Sequence, residues 1–262
     1  MSAEESFVIL EEHDRVARVV LNRPEKRNAL TRSMLERLEE IFRSLGERAE
    51  LRAVILTGAG REAFSAGTDI AELEGLDEEG ARRASERGQR VCEAIELCAV
   101  PVIAAINGAA TGGGCELALA SHLRVASADA RFTLPETRLG MIPAYGGTQR
   151  LSRTVGEARA LAVMLAGDGI KAEEALRLGL VNRVVAPEEA LAEAERLAAE
   201  ISNLAPLAIR ACLHAVTRGT RLPLEDGLAL EARLFSSLFS TADVREGTRA
   251  FLEKREPRFK GK

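Results

Sequence analysis

The sequence predicts an α/β fold that gives way to an all-helical end. Three observations carry this. Apolar runs without polar alternation, Ala53–Thr57 and Val100–Ile106, have the character of strands buried on both faces. Segments with 3.6-residue apolar spacing lie between such runs. Beyond about Leu204 strand signals stop, and Pro206–Val216, Leu224–Phe239 and Asp243–Lys254 all read as helices. The chain therefore divides into a core over residues 1–200 and a C-terminal helical region over 201–262.

Taken in order, Phe7–Leu10 and Val16–Leu21 are β-rich runs joined through E-E-H-D-R as a hairpin. After Asn22-Arg23-Pro24, the stretch Asn28–Thr31 opens a helix. Leu30, Met34, Leu35, Leu38, Ile41, Phe42 and Leu45 keep its period, and Thr31 suits the N-cap. The strand Ala53–Thr57 ends in Gly58-Ala59-Gly60, and R-E-A-F-S-A-G-T-D then reads as a loop. An exposed charged helix around Asp77–Arg90 and a second helix over Val91–Leu97 precede the central strand, Pro101–Ile106. Leu123–Ser127 and Arg131–Thr133 are short strands, followed by Pro135-Glu136 and the loop G-M-I-P-A-Y-G-G-T-Q-R. From Leu151 the pattern is helical through Val163–Ala166 and Lys171–Leu178. A brief strand at Val181–Val185 and a helix opened by Pro187 close the core. In the last helices Leu230, Leu234, Phe235, Leu238 and Phe239 form an apolar set suited to subunit contact.

Composition narrows the function classes. At 262 residues and 46% hydrophobic content the chain can build one large core, and no run of about 18 apolar residues spans a membrane. The acidic start M-S-A-E-E-S has no secretory pattern, and Cys92, Cys98, Cys115 and Cys212 show no C-x-x-C spacing. Reduced, buried thiols in a cytoplasmic protein are the expectation. A net charge of −4 provides no electrostatic footprint for nucleic acid.

Two motif readings fail on context. Gly58, Gly60 and Ala63 match G-x-G-x-x-A, with Glu78 and Glu79 near the distance of a ribose-binding acid, but the motif runs into loop chemistry instead of a helix. Ser65, Asp168 and His214 follow a hydrolase order, yet the preceding strand ends about eight residues before Ser65, and His214 sits among apolar helix residues. His13, His122 and His214 show no metal-ligand spacing.

The stretch A-I-N-G-A-A-T-G-G-G-C-E (105–116) is different. Three glycines entering a helix cost about 1 kcal/mol each relative to alanine, which makes sense where another molecule must approach bare backbone. A helix starting near Gly113 points free N–H groups and its positive pole outward, with Glu116 in the first turn. That is an anion hole with a carboxylate beside it. Two companions join it: Ser65-Ala66-Gly67-Thr68-Asp69, whose Thr68 N–H can face a ligand, and Glu136 at a strand end. Taken singly, Gly67 reads equally as a plain turn and Glu136 as a surface cap.

Together these pieces resemble the enoyl-CoA hydratase/isomerase (crotonase) family over nearly the whole chain. The resemblance rests on L-N-R-P-E-K-R-N-A-L (21–30), A-F-S-A-G-T-D-I (63–70) and P-V-I-A-A-I-N-G-A-A-T-G-G-G-C-E-L-A-L (101–119). It extends through P-E-T-R-L-G-M-I-P (135–143), G-G-T-Q-R-L (146–151), E-A-L-R-L-G-L-V-N (174–182) and R-E-G-T-R-A-F-L-E-K-R (245–255). It implies a spiral of repeated ββα units and a C-terminal helical region that joins chains into a homotrimer or homohexamer. It places oxyanion-binding N–H groups at Thr68 and Gly113 and matches Glu116 and Glu136 to the catalytic pair of the hydratase branch. It also implies acyl-CoA contacts at Ala66, Gly67, Asp69, Ile70 and Lys26, with Phe251 and Lys254 near the CoA nucleotide end from a neighbouring subunit. The implied reaction is reversible addition of water to a trans-2-enoyl-CoA, with no metal or redox cofactor and coenzyme A carried on the substrate. A Δ3–Δ2 isomerase is the rival on the same scaffold, needing a single proton-shuttling carboxylate; retention of both glutamates favours hydration. An RNA-binding role, suggested by some relatives, is opposed by the acidic balance. Two departures stand out: Thr68 replaces a frequent alanine, and Ala144-Tyr145 replaces a frequent glycine. Tyr145 is expected either to line the acyl pocket or to pack at the surface.

Overall fold

Alternate residues of the central strands face two different cores, which is why these runs are apolar without a break. In the computed structural model, which describes residues 7–262, β3 (Ala53–Gly58) and β5 (Val102–Ile106) turn Val54, Leu56, Val102, Ala104 and Ile106 towards the main core. Ala53, Ile55, Ile103 and Ala105 face the other way, onto Ala194 and Ala198 of a helix over Ala190–Ser202. The acidic N-terminal stretch invoked against secretion lies outside the described residues.

The first sheet has six strands. β1 (Val8–His13) pairs antiparallel with β2 (Val16–Leu21), and β3, β5, β7 (Leu123–Ser127) and β10 (Arg183–Val185) follow in parallel. A second sheet orders β4 (Ala63–Ser65), β6 (Ala109–Thr111), β8 (Arg131–Thr133) and β9 (Ile170–Lys171). The chain visits the two in alternation. β3 then β4 leads to α2 (Glu78–Glu96), β5 then β6 leads to α3 (Gly113–Ala120), and β7 is followed by β8. This is the ββα repeat.

Several expectations hold residue by residue. Thr31 caps α1 (Arg32–Glu47) by accepting the Met34 N–H, and Met34, Leu35, Leu38, Ile41, Phe42 and Leu45 are all buried. Leu30 is buried too, although it precedes the helix and forms a bridge to Thr68. Other expectations are corrected. The first hairpin turns at Asp14 and Arg15, both with positive φ, so E-E-H belongs to β1. The stretch read as loop contains β4, and β6 follows the central strand. The two helices expected over Asp77–Leu97 are one, α2, capped by the Asp77 side chain. Three cysteines are buried, whereas Cys212 is exposed, as is His214.

After α4 (Gly147–Val155), α5 (Glu157–Ala166), α6 (Ala172–Arg177) and α7 (Ala190–Ser202), three more helices follow: α8 (Pro206–Gly219), α9 (Leu224–Leu238) and α10 (Ala242–Glu253). α8 and α9 approach closely where a Cβ on Gly227 would lie 3.2 Å from the Gly219 carbonyl oxygen. Buried Asp243 accepts the Lys260 and Gly261 N–H groups at 2.7 and 2.8 Å, tying the tail to α10. Phe235 (63% exposed) and Phe239 (57%) pack with tilted rings, centroids 5.1 Å apart, at the exposed C-terminal end of α9. No described helix is long and apolar enough to cross a membrane.

Candidate active site

Glycines let three backbone segments meet. Gly67 has φ +90°, and a Cβ there would sit 2.6 Å from the Thr111 carbonyl oxygen and 3.1 Å from the Gly113 nitrogen. Gly112, at φ +51°, would place a Cβ 2.8 Å from Glu136 Oε1. A side chain at Gly67 would collide with backbone, and one at Gly112 would be strained and displace the Glu136 carboxyl, so the Gly67 loop, the start of α3 and the Glu136 turn lie against one another.

Sheet geometry aims the first donor. Leu30 N–H donates to the Gly67 carbonyl at 2.7 Å and Asp69 N–H to the Leu30 carbonyl at 2.9 Å. A parallel bridge of this kind uses the groups on either side of Thr68 and turns the Thr68 N–H away from Leu30. The second donor, Gly113 N–H, opens α3 and has no intrahelical acceptor. Among the described residues neither N–H is taken by a protein acceptor.

Asn28 holds the Thr68 segment. Its side chain is fully buried, donating to the Ala59 and Ala63 carbonyls, both at 2.9 Å, and accepting the Arg23 N–H. Its backbone carbonyl accepts the Ser65 hydroxyl at 2.8 Å, and Ser65 Oγ in turn accepts the Gly67 N–H. A strand, β4, does run into Ser65, contrary to expectation. The hydroxyl is nonetheless buried and committed to Asn28, and His214 lies exposed on α8, so no hydrolase triad is assembled.

The two carboxyl groups differ in surroundings. Glu116 is 1% exposed, and its Oε1 accepts the Tyr145 N–H at 2.8 Å and the Gly147 N–H at 2.6 Å. Burial pushes this carboxyl up to about 7; the Gly147 and Tyr145 hydrogen bonds oppose the rise, the Glu136 charge adds to it, and Arg150 draws it back. Glu136 is half-buried on a 3-10 turn, Glu136–Leu139, and its Oε2 is enclosed without a partner. Burial lifts Glu136 as well, against a hydrogen bond from its own backbone. Burial thus raises both acids, and the Glu136 charge adds to the rise at Glu116, so their titrations are linked.

Tyr145 touches both halves of this cluster. It is 4% exposed, so the surface alternative is excluded. Its N–H holds Glu116, and its hydroxyl accepts a hydrogen bond from Thr68 Oγ1 at 2.7 Å. The ring lies where a Cβ on Gly113 would come within 2.8 Å and one on Gly88 within 2.0 Å.

The remaining expected residues spread outward. Ala66 and Gly67 lie inside the cluster, and Ile70 is exposed at its rim. Asp69 pairs with Arg23 at 2.7 Å, and that hydrogen bond holds its carboxyl below the usual range despite partial burial. Lys26 is exposed near Asp69. Phe251 (83% exposed) and Lys254, the left-handed C-cap of α10, are not brought to this cluster within one chain. Sequence reasoning missed Asn28, the Tyr145 and Gly147 N–H groups and Arg150. Only the motif N-A-L and the loop G-M-I-P-A-Y-G-G-T-Q-R marked their segments.

The enoyl-CoA hydratase/isomerase model matches residues 11–262. A short-chain-enoyl-CoA hydratase of Clostridium acetobutylicum is 43% identical over 95% of each chain, and a crotonyl-CoA hydratase of Syntrophomonas wolfei is 40% identical over 96% of this chain and 97% of that one. The crystal structure of an enoyl-CoA hydratase from Bacillus anthracis superposes with a TM-score of 0.93 at 40% identity, covering 98% of this chain and 100% of that one. With the fold, the ββα repeat and the full-length match in agreement, the chain belongs to the enoyl-CoA hydratase/isomerase family.

Proposed function

We propose that this protein is an enoyl-CoA hydratase, a hydro-lyase that adds water reversibly to a trans-2-enoyl-CoA to give the 3-hydroxyacyl-CoA. The observation that carries the reading is the pairing of two free backbone donors, Thr68 and Gly113, with a buried carboxyl group, Glu116, and a half-buried one, Glu136, both raised by burial.

Water attacks C3 only if the electron pair of the C2–C3 double bond can move onto the thioester oxygen. Two fixed N–H donors, one at a helix N-terminus, stabilise that enolate; removing one such donor typically costs about 10²–10³ in rate. In the active form the pair holds one proton, on Glu136. The two N–H groups on Glu116 Oε1 favour its ionised form, and the unpartnered Glu136 Oε2 has a place for the proton. Glu116 takes a proton from water as its oxygen bonds to C3, and Glu136 gives its proton to C2. The pair ends with one proton, now on Glu116, and returns to its start by passing it across. A base titrating near neutrality serves equally as the acid of the reverse reaction.

The same reading extends to Ala66, Gly67, Asp69, Ile70 and Lys26 as acyl-CoA contacts, and to a cytoplasmic homotrimer or homohexamer whose Phe251 and Lys254 meet the CoA nucleotide end of a neighbouring chain. The exposed phenylalanines of α9 and α10 support such an assembly. The test is loss of the conjugated-thioester absorbance when purified protein meets crotonyl-CoA. Turnover supports the reading, and none across short and medium acyl chains overturns it.

A further inference from the structure

Behind Glu116 stands a chain of ion pairs that the hydration chemistry does not itself use. Arg150, on α4 (Gly147–Val155), donates from Nη1 to the Tyr145 carbonyl at 3.0 Å and from Nη2 to Glu96 Oε2 at 2.9 Å. Glu96 ends α2, and its Oε1 meets Arg221 Nη2 at 2.6 Å. Arg221 lies in the connection between α8 and α9, within the C-terminal helical region. The Arg150 guanidinium fills the space beside Gly146, where a Cβ would come within 2.2 Å of Nη1. Arg150 and Glu96 have side chains only about one-fifth exposed, at 19% and 20%. Burial opposes the Glu96 charge, yet the Arg221 and Arg150 hydrogen bonds hold its carboxyl below the usual range.

The geometry matters because of what Tyr145 does. Its N–H is one of two donors on Glu116, and its carbonyl is gripped by Arg150. We infer that Arg150, Glu96 and Arg221 form a positioning chain that fixes the 145–147 backbone donors on Glu116 and couples the C-terminal helical region to the acid–base pair. This inference rests on Glu116 being an acid–base group of the reaction.

The chain carries a net charge of +1, from two guanidinium groups and one carboxylate. Removing Arg221 leaves it neutral, and removing the Glu96 charge leaves it at +2. The other groups facing Glu116 are Glu136, Cys92 of α2, Cys115 and Tyr145. Burial raises both thiols and the phenol, so all three stay uncharged near neutrality; besides Glu136, the charges around them are Arg87, facing Tyr145, and Arg124, facing Cys115, and neither is altered in the variants. A field effect therefore has a definite sign. Arg221→Gln moves the upper titration of the pair to higher pH, and Glu96→Gln moves it to lower pH, each by on the order of half a pH unit. A merely structural defect shifts both variants in one direction or neither.

The experiment is the pH profile of kcat/KM for crotonyl-CoA in wild type, Arg221→Gln, Glu96→Gln and Arg150→Lys, with Glu116→Gln as control. Because kcat/KM reports the free enzyme, its alkaline limb follows the pair before substrate binds. Opposite shifts in Arg221→Gln and Glu96→Gln support the inference, together with a lowered kcat at nearly unchanged KM in Arg150→Lys. Coincident profiles beside an inactive Glu116→Gln overturn the positioning chain and leave the hydratase reading intact. Absence of turnover in wild type overturns both. Arg221 is 46% exposed, so Arg221→Gln is a variant that folding tolerates, and it decides the sign on its own if Glu96→Gln is unstable.

Discussion

Replacing Glu116 by glutamine removes a buried charge while keeping the side chain's shape, and stability should report it. The carboxyl titrates at an ordinary 4.5 in the unfolded chain and at about 7 in the folded protein. The folded state therefore binds the proton more tightly. Wild-type stability is lost as pH rises from about 4.5 towards 7, and stays lost above that. The difference of about 2.5 pH units corresponds to about 3 kcal/mol, at roughly 1.4 kcal/mol per unit. Glutamine keeps an oxygen for the Tyr145 and Gly147 N–H groups and carries no charge to bury. Relative to wild type, Glu116→Gln should thus gain up to about 3 kcal/mol between pH 5 and pH 8, while losing turnover. Equilibrium urea unfolding at fixed protein concentration across that range measures the gain. A difference independent of pH would refute the account of Glu116 as a carboxyl lifted by burial, whatever the variant does to activity. A difference of opposite slope would mean that the two N–H donors outweigh burial and hold Glu116 ionised throughout.

Other substitutions probe how the site is held. Glu136→Gln should lower kcat by about 10²–10⁴ with KM for crotonyl-CoA little changed, as measured by steady-state kinetics. Gly112→Ala drives a methyl to 2.8 Å from Glu136 Oε1 at a positive φ, so turnover should fall by at least about tenfold even in preparations that circular dichroism shows to be folded. Asn28→Ala leaves the part-buried Ala59 carbonyl and the Arg23 N–H without a partner, at about 1–3 kcal/mol each, while the Ala63 carbonyl keeps Asn107 Nδ2 at 3.2 Å; it should lower the melting temperature by several degrees in a thermal scan. Tyr145→Phe keeps the ring and the backbone donor to Glu116 but deletes the acceptor for Thr68 Oγ1. It should cost about 1 kcal/mol of stability and leave the pH profile unmoved, which separates the phenol from the peptide group.

The parts of this fold that were legible are those whose signal is periodic or local. The helix after Thr31, the strands at 123–127 and 131–133 and the glycine run before Glu116 each announce themselves within a dozen residues. Strands β4 and β6 are embedded in turn-type residues, β4 just before Ala66-Gly67 and β6 between Asn107-Gly108 and Gly112, and that turn chemistry masks them. The donors on Glu116 are backbone groups of the 145–147 loop, and an N–H has no residue-type signature. Arg150, from α4, and Arg221, from the connection between α8 and α9, meet across Glu96 from over fifty residues away, with no spacing to expose them.

The reading of α2 as two helices shows what such signals lack. Its exposed first half and buried second half differ in composition, and Gly88 lies near the division, so a break there looks natural. In the structure Gly88 breaks nothing. It clears room for the Tyr145 ring, which would stand 2.0 Å from a Cβ at that position. A helix-weakening residue worth about 1 kcal/mol is thus retained for a partner 57 residues later. That partner in turn packs on Gly113, accepts from Thr68 and donates to Glu116. Both halves of the proposed site lean on one aromatic ring, and that ring fits only because a helix some distance away gave up a side chain.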